Sequence, residues 1–279
     1  MSLLSLTLRL RPLPQPDPTA VLPIWWGRAA HRLLLDTVEA IDPPLVRELH
    51  DEDGPRPFSV SSLLGRFPHG TLEAGGVYRL RFTALTPGLR QAMEQAAASG
   101  PLAPGAQVEL DRHPFEVLPP ETDGDEAQPP QSGDPQSLSA PYLLGKIPAP
   151  RRLGFTLLSP TTFKSGGKHV PVPLPELVFG SLLERWNAFA PLVFPPEARR
   201  YAAECLAVAR YDLHTRSVQV KGGGLRVGAV GEVSYITLNY DRYWMSVLAT
   251  LAEYAWYAGV GAGVTNGLGQ CRRKDVGEE

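Results

Sequence analysis

Six histidines and a glycine-rich, base-flanked C-terminus are the parts of this 279-residue chain with chemistry to offer. Histidine is the side chain whose ordinary pKa lies nearest neutrality, so it can take or give a proton at physiological pH. His50 closes a short helical stretch and is followed by the polar run "DEDGPR", with Arg56 six residues on. An arginine there can grip a phosphate through two parallel hydrogen bonds, but it cannot give up its proton at neutral pH. His31 lies in "GRAAHRLL", with Arg28, Leu34 and Leu35 three and four positions away. Read locally, each has a plain alternative: a helix-end histidine meeting the dipole for His50, a packed core residue for His31, a solvated loop arginine for Arg56. His69 and His113 stand beside prolines in turn-like contexts, His169 follows "KSGGK", and His214 reads as a hairpin residue. No pair of these four has metal-ligand spacing on a helix, so no metal is expected.

The second feature is "GVGAGVTNGLGQCRRK", residues 259–274, in which Gly259, Gly261, Gly263, Gly267 and Gly269 fall within eleven positions. A dinucleotide fingerprint follows a strand and opens a helix. This run follows a helix and opens a strand, places Asn266 where the third glycine belongs, and lacks a P-loop lysine. It leaves a string of backbone N–H groups with little bulk, able to cradle a phosphate or press on an RNA backbone. The bland reading is a helix C-cap followed by turns. Arg272, Arg273 and Lys274 flank the run, and further basic clusters occur at Lys146, Arg151 and Arg152 and at Lys164, Lys168 and His169.

The formal net charge of −2 hides this distribution. Residues 119–136 hold Glu121, Asp123, Asp125, Glu126 and Asp134 and no Lys or Arg; setting those five acids aside leaves 27 basic against 24 acidic residues. That segment, rich in Pro and Gly, reads as a flexible linker or mobile loop between two halves. No apolar run is long enough to span a membrane, the N-terminus lacks signal-peptide character, and two distant cysteines form no disulfide framework, so a cytoplasmic protein without membrane association is expected.

The elements that must position these residues recur in each half. "LLSLTLRLRP" alternates as a half-buried strand, and "PIWWGRAAHRLLLDTVEAI" carries Trp26, Ala29, Ala30, Leu33, Leu34 and Val38 at helical spacing. Asp42 followed by Pro43 starts a short helix, and "GVYRLRFTAL", "PGLRQAMEQAAAS" and "AQVELDRHPFEVL" read as strand, helix and closing strand. The second half gives the strand "RRLGFTLLSPTTF", the helix "PELVFGSLLERWNAFAPL", two long strands, an apolar helix capped by Asp241, and the short strand "LGQCRR". The tryptophans mostly fall at apolar helical positions and read as core. The expectation is an α+β chain of two tandem ferredoxin-like (RNA-recognition-module-like) βαββαβ domains, residues 1–118 and 140–279, with the acidic linker at 119–139.

Four stretches together resemble the CRISPR-associated endoribonucleases that cut repeat precursor RNA into guide RNAs, the sixth Cas family: "LPIWWGRAAHRLLLDTV", "LVRELHDEDGPRPFSVSSLLG", "LSPTTFKSGGKHVPVPLPELVFGSLLERWNAF", and "GAVGEVSYITL" with "YAGVGAGVTNGLGQCRR". In that order they span nearly the whole chain outside the acidic segment. The resemblance implies CRISPR repeat precursor RNA as partner, no cofactor, and metal-independent cleavage in which the RNA's own 2′-hydroxyl attacks the adjacent phosphate, leaving 2′,3′-cyclic phosphate and 5′-hydroxyl ends. It places His50 at the family's catalytic histidine and Arg56 where some members carry lysine. Leu35 stands near the position where certain members have tyrosine, which directs attention to His31 as the second acid–base group. The five loop glycines, Lys164, Lys168, Arg151, Arg152, Arg272 and Arg273 become candidate RNA contacts. The alternative is a subunit of a CRISPR interference complex that binds repeat RNA without cutting it. A monomer or homodimer fits either.

Overall fold

The computed structural model describes residues 2–15, 21–51, 54–120, 131–219 and 224–276. The chain divides into two compact units, Ser2–Ser132 with Thr265–Gly267, and Gly133–Val264 with the residues from Leu268 onward.

The N-terminal unit runs β1 (Leu3–Pro12), α1 (Gly27–Ile41), α2 (Pro43–Asp51), β2 (Phe58–Val60), β3 (Tyr78–Ala84), α3 (Pro87–Ser99), β4 (Gln107–Leu110) and β5 (His113–Leu118). Its antiparallel sheet has the order β2-β3-β1-β5-β4, which is the ferredoxin-like arrangement with β4 added at the edge. The period-two pattern of β1 sends Leu4, Leu6, Leu8 and Leu10 into one core with Ala30, Leu34 and Val38 of α1 and Leu89, Met93 and Ala96 of α3. Burying each such leucine contributes about 1.5–3 kcal/mol. Asp42 caps α2 as its Asp-Pro pair predicts, accepting from the Leu45 N–H at 3.2 Å.

Two expectations need correction here. The stretch 107–118 is a hairpin rather than one strand. Asp111 and Arg112 both take positive φ, 47° and 67°, the geometry of a tight two-residue turn without the Asn-Gly or Asp-Gly that usually announces it. Helix α1 starts at Gly27, later than a stretch beginning at Pro23 suggests; Trp26 stands at its N-cap, its carbonyl accepting from Ala30 and its N–H, which no helical carbonyl could reach, donating to Ser62 Oγ at 3.1 Å.

Of the stretch read as a linker, 121–130 lie outside the described residues. The rest is not featureless: β6 (Gln131–Gly133) pairs with β1, and α4 (Pro135–Leu143) begins within it. Asp134 caps α4 through a reciprocal box with Ser137, so the acidic composition masked an Asp-Pro helix start.

The C-terminal unit continues with β7 (Arg152–Thr161), the hairpin β8 (Phe163–Ser165) and β9 (Lys168–Val170), α5 (Pro175–Phe189), α6 (Glu197–Cys205), β10 (Leu206–Gln219), β11 (Leu225–Thr237), α7 (Arg242–Ala258) and β12 (Cys271–Lys274). Its main sheet, β10-β11-β7-β12, repeats the ferredoxin-like order. Helix α7 is buried almost all round, and the Asp241 side chain accepts from the Trp244 N–H at 3.0 Å to cap it. Trp186, fully buried, stacks on Phe194 at 4.9 Å and meets Tyr254 edge-on at 5.1 Å. Among the described residues, no helix is long and apolar enough to cross a membrane.

Candidate active site

His31 is where the N-terminal unit gathers the most chemistry. The buried stripe of α1 runs through Ala30, Leu34 and Val38, so His31 sits at the edge of that stripe, half-buried. Its ring lies 5.5 Å from that of Phe58 in β2. Its Nδ1 lies 2.7 Å from the Thr265 carbonyl oxygen, which belongs to the tip of the glycine-rich run and to the same compact unit. A carbonyl can only accept, so Nδ1 is the nitrogen that carries the proton. In the neutral ring the lone pair is therefore on Nε2.

His50 occupies the last turn of α2, and its side chain lies outside what the structure describes. Arg56 comes just before β2 and is half-buried. The weaker histidines have structural settings. His69 sits in a turn with φ 52°, and His113 is buried edge-on against Trp26 at 5.4 Å, with Nδ1 2.8 Å from the Asp111 carbonyl. Among the described residues, no three His, Cys, Asp or Glu side chains gather as a metal site.

All five glycines of the terminal run have positive φ, between 64° and 86°. Three of their amides are engaged by the protein. The Gly259 N–H closes α7 on the Ala255 carbonyl, Gly261 donates to Ser181 Oγ at 2.9 Å, and Gly269 donates to the Pro160 carbonyl at 3.1 Å. Those three build the loop onto α7, α5 and β7.

The basic candidates divide by environment. Lys164 and Lys168 lie exposed on the β8–β9 hairpin. His169, paired with Lys164 across that hairpin, has its pKa lowered by partial desolvation and then by the charges of Arg226 and Lys164, a cluster that spacing along the chain could not reveal. Arg151 lies over the Tyr240 ring at 4.5 Å, Arg152 opens β7, and Arg272 is exposed on β12. Arg273 is different. Its guanidinium is paired with Glu253 and bonded to the Tyr142 hydroxyl, which itself donates to Glu253 at 2.8 Å. Burial works against its charge, yet Glu253 and Tyr142 hold its pKa above the ordinary arginine value. Trp25, read as core from the sequence, instead donates its indole N–H to the Asn266 carbonyl at 2.7 Å.

A profile of the family described as CRISPR-associated endoribonuclease Cas6 matches residues 155–271. Among solved structures, a Cas6 (TTHA0078) product complex superposes with a TM-score of 0.77 at 26% identity, covering 99% of this chain and 100% of that one. A Cas6 (TTHB231) product complex reaches 0.74 at 25% identity, over 98% and 100%; TTHB231 is a Cas6 of Thermus thermophilus. A Cas6-related protein of Pyrococcus furiosus, 14% identical and covering 99% of each chain, scores 0.60 and bears on the fold alone. Curated protein sequences give no match.

Proposed function

We propose that the chain is a member of the Cas6 family of CRISPR-associated endoribonucleases, which the profile match and the superposed Cas6 structures support, and that it matures CRISPR repeat RNA by metal-independent transesterification, with His31 as one acid–base group. The single observation that carries the reading is the seating of His31 on the Thr265 carbonyl, which supplies an imidazole of defined tautomer on a rigid helix.

The reaction needs a base for the 2′-hydroxyl proton, an acid for the departing 5′-oxygen, and positive charge near the phosphate as it becomes five-coordinate. Oxygen O2′ attacks the adjacent phosphorus, the P–O5′ bond breaks, and O5′ takes a proton. The products are a 2′,3′-cyclic phosphate and a 5′-hydroxyl. His31 and His50 share the two proton transfers, and Arg56 offsets charge without giving up its own proton. Lys164, Lys168, Arg151, Arg152 and Arg272 hold phosphates along the repeat, while the internally paired Arg273 supports β12. Of the loop glycines, Gly261 and Gly263 are only half-buried and offer backbone that RNA can approach, whereas Gly259, Gly267 and Gly269 are buried and shape the turn.

The test is cleavage of repeat RNA in excess EDTA, with the termini read by mass spectrometry. Cyclic phosphate ends at an undiminished rate are expected, and a repeat carrying 2′-deoxyribose at the cut site should bind and stay intact. Cleavage of the deoxy repeat, 3′-hydroxyl ends or loss of turnover in chelator would sink the mechanism. Tight binding without any product would instead identify an RNA-binding subunit that does not cut.

A further inference from the structure

We propose that the tip of the glycine-rich run is a positioning device for His31: the backbone of Thr265–Gly267, clamped to the start of α1, fixes the imidazole in its Nδ1–H tautomer so that Nε2 exchanges protons with the RNA. This rests on the reading that His31 is an acid–base group.

A backbone carbonyl selects a tautomer only if it stays in place, and three contacts hold this one. Trp25 Nε1 donates to the Asn266 carbonyl at 2.7 Å, one residue beyond the carbonyl that meets His31. Gly27, the first residue of α1, lies so close to the same peptide that an added Cβ would stand 1.8 Å from the Asn266 oxygen. Only glycine permits that approach. Gly267 ends the tip with φ at +86°, and a Cβ there would meet the Ser62 amide nitrogen at 3.0 Å, in the segment whose Ser62 hydroxyl accepts from Trp26. The clamp and the histidine it serves thus sit on one helix, one turn apart: Gly27 and His31 are four residues apart and face the same strip of loop.

This arrangement favours one proton distribution. An imidazole free in water prefers the proton on the nitrogen remote from the backbone, Nε2. The Thr265 oxygen reverses that preference and leaves the lone pair on Nε2. The same bond holds the ring's orientation, so an encounter with RNA does not have to select a rotamer.

The test is a long-range proton–nitrogen correlation spectrum of the His31 ring in nitrogen-15-labelled full-length protein, above the pH at which the ring is charged, beside single-turnover cleavage. The wild-type ring should show a protonated Nδ1 and an unprotonated Nε2. Trp25→Phe keeps the aromatic ring and removes the donor to Asn266; Gly27→Ala drives a methyl into the Asn266 carbonyl. Each should return the ring toward a tautomer mixture and lower the cleavage rate by roughly threefold to tenfold, a fraction of a full acid–base contribution, with repeat affinity kept within about twofold. Trp25→Phe alone decides the matter should Gly27→Ala fail to fold. A wild-type ring protonated on Nε2, or a rate loss in Trp25→Phe with the tautomer unchanged, overturns the positioning role. A changed tautomer with an unchanged rate overturns the catalytic reading of His31 while leaving the seat itself established.

Discussion

Exchanging His31 for asparagine separates what the ring does for the fold from what it does for the reaction. The amide nitrogen of asparagine falls near the place of Nδ1 and can still donate to the Thr265 carbonyl, 2.7 Å from the imidazole in the native protein. It cannot exchange a proton near neutrality. Alanine removes both functions. The lost hydrogen bond costs about 0.5–1.5 kcal/mol, and an oxygen left unpaired in a half-buried site about 1 kcal/mol more. Loss of the ring's contact with Phe58 adds to this. His31→Ala should therefore lower stability by about 2 kcal/mol and His31→Asn by less than about 1 kcal/mol. The catalytic loss should be alike in both, about 10²–10⁴-fold, which is roughly 2.7–5.4 kcal/mol on the barrier. A chain with an ordinary stability of about 5–15 kcal/mol stays folded in either case, so the rate reports chemistry. Urea unfolding and single-turnover cleavage of end-labelled repeat RNA on the same preparations measure the two quantities. Cleavage by His31→Asn within about threefold of wild type would remove His31 from the reaction. A rate loss only in the alanine variant would show that the ring acts through the fold.

Three further outcomes follow from the basic surface. Lys164→Ala with Lys168→Ala should weaken repeat binding more at low than at high salt and flatten the slope of log affinity against log salt by about 1.4, while the rate at saturating RNA stays within about threefold; an unchanged slope removes the hairpin from the RNA path. His169, whose pKa is lowered by desolvation and by Arg226 and Lys164, is less readily protonated in the folded chain than in the unfolded one. Its contribution to stability is therefore least favourable below its folded pKa and recovers as pH rises to the ordinary histidine value. An NMR titration should show that pKa climbing in Lys164→Ala and climbing further when repeat RNA binds, because phosphate favours the charged ring; no change with RNA would place the phosphates elsewhere. Glu253→Gln should cost about 0.5–1 kcal/mol by breaking a partly exposed ion pair with Arg273, with repeat affinity unchanged; lower affinity at unaltered stability would make Arg273 a phosphate contact.

The sequence carried the fold well because its signals were local and periodic. The leucines of β1 alternate, Ala30, Leu34 and Val38 recur at helical spacing, and Asp42 and Asp241 sit where caps belong. The misreadings have equally local causes. Asp111–Arg112 makes a tight turn without a glycine, and the Asp134 cap is hidden in an acidic stretch whose composition speaks for disorder. Pairings between distant residues had no signal at all. Nothing in the neighbourhood of Glu253 points to Arg273 or Tyr142, and Arg226 lies far along the chain from Lys164 and His169.

The site shows the same limit in its sharpest form. A histidine's type and position can be read, and its chemistry follows from its pKa. Its tautomer cannot, because the partner that sets it is the Thr265 carbonyl, a group every residue possesses. What the sequence does display is the cost of bringing that carbonyl into place: a glycine at position 27 with no room for a methyl, and another at 267 with φ at +86°. Gly267, one of the glycines read first as space for a ligand, makes room for the protein's own backbone, as does Gly27 outside that run. The atoms that approach Gly27 and Gly267 belong to the same chain, and on the proposed role of His31 their close approach serves the RNA by orienting an imidazole.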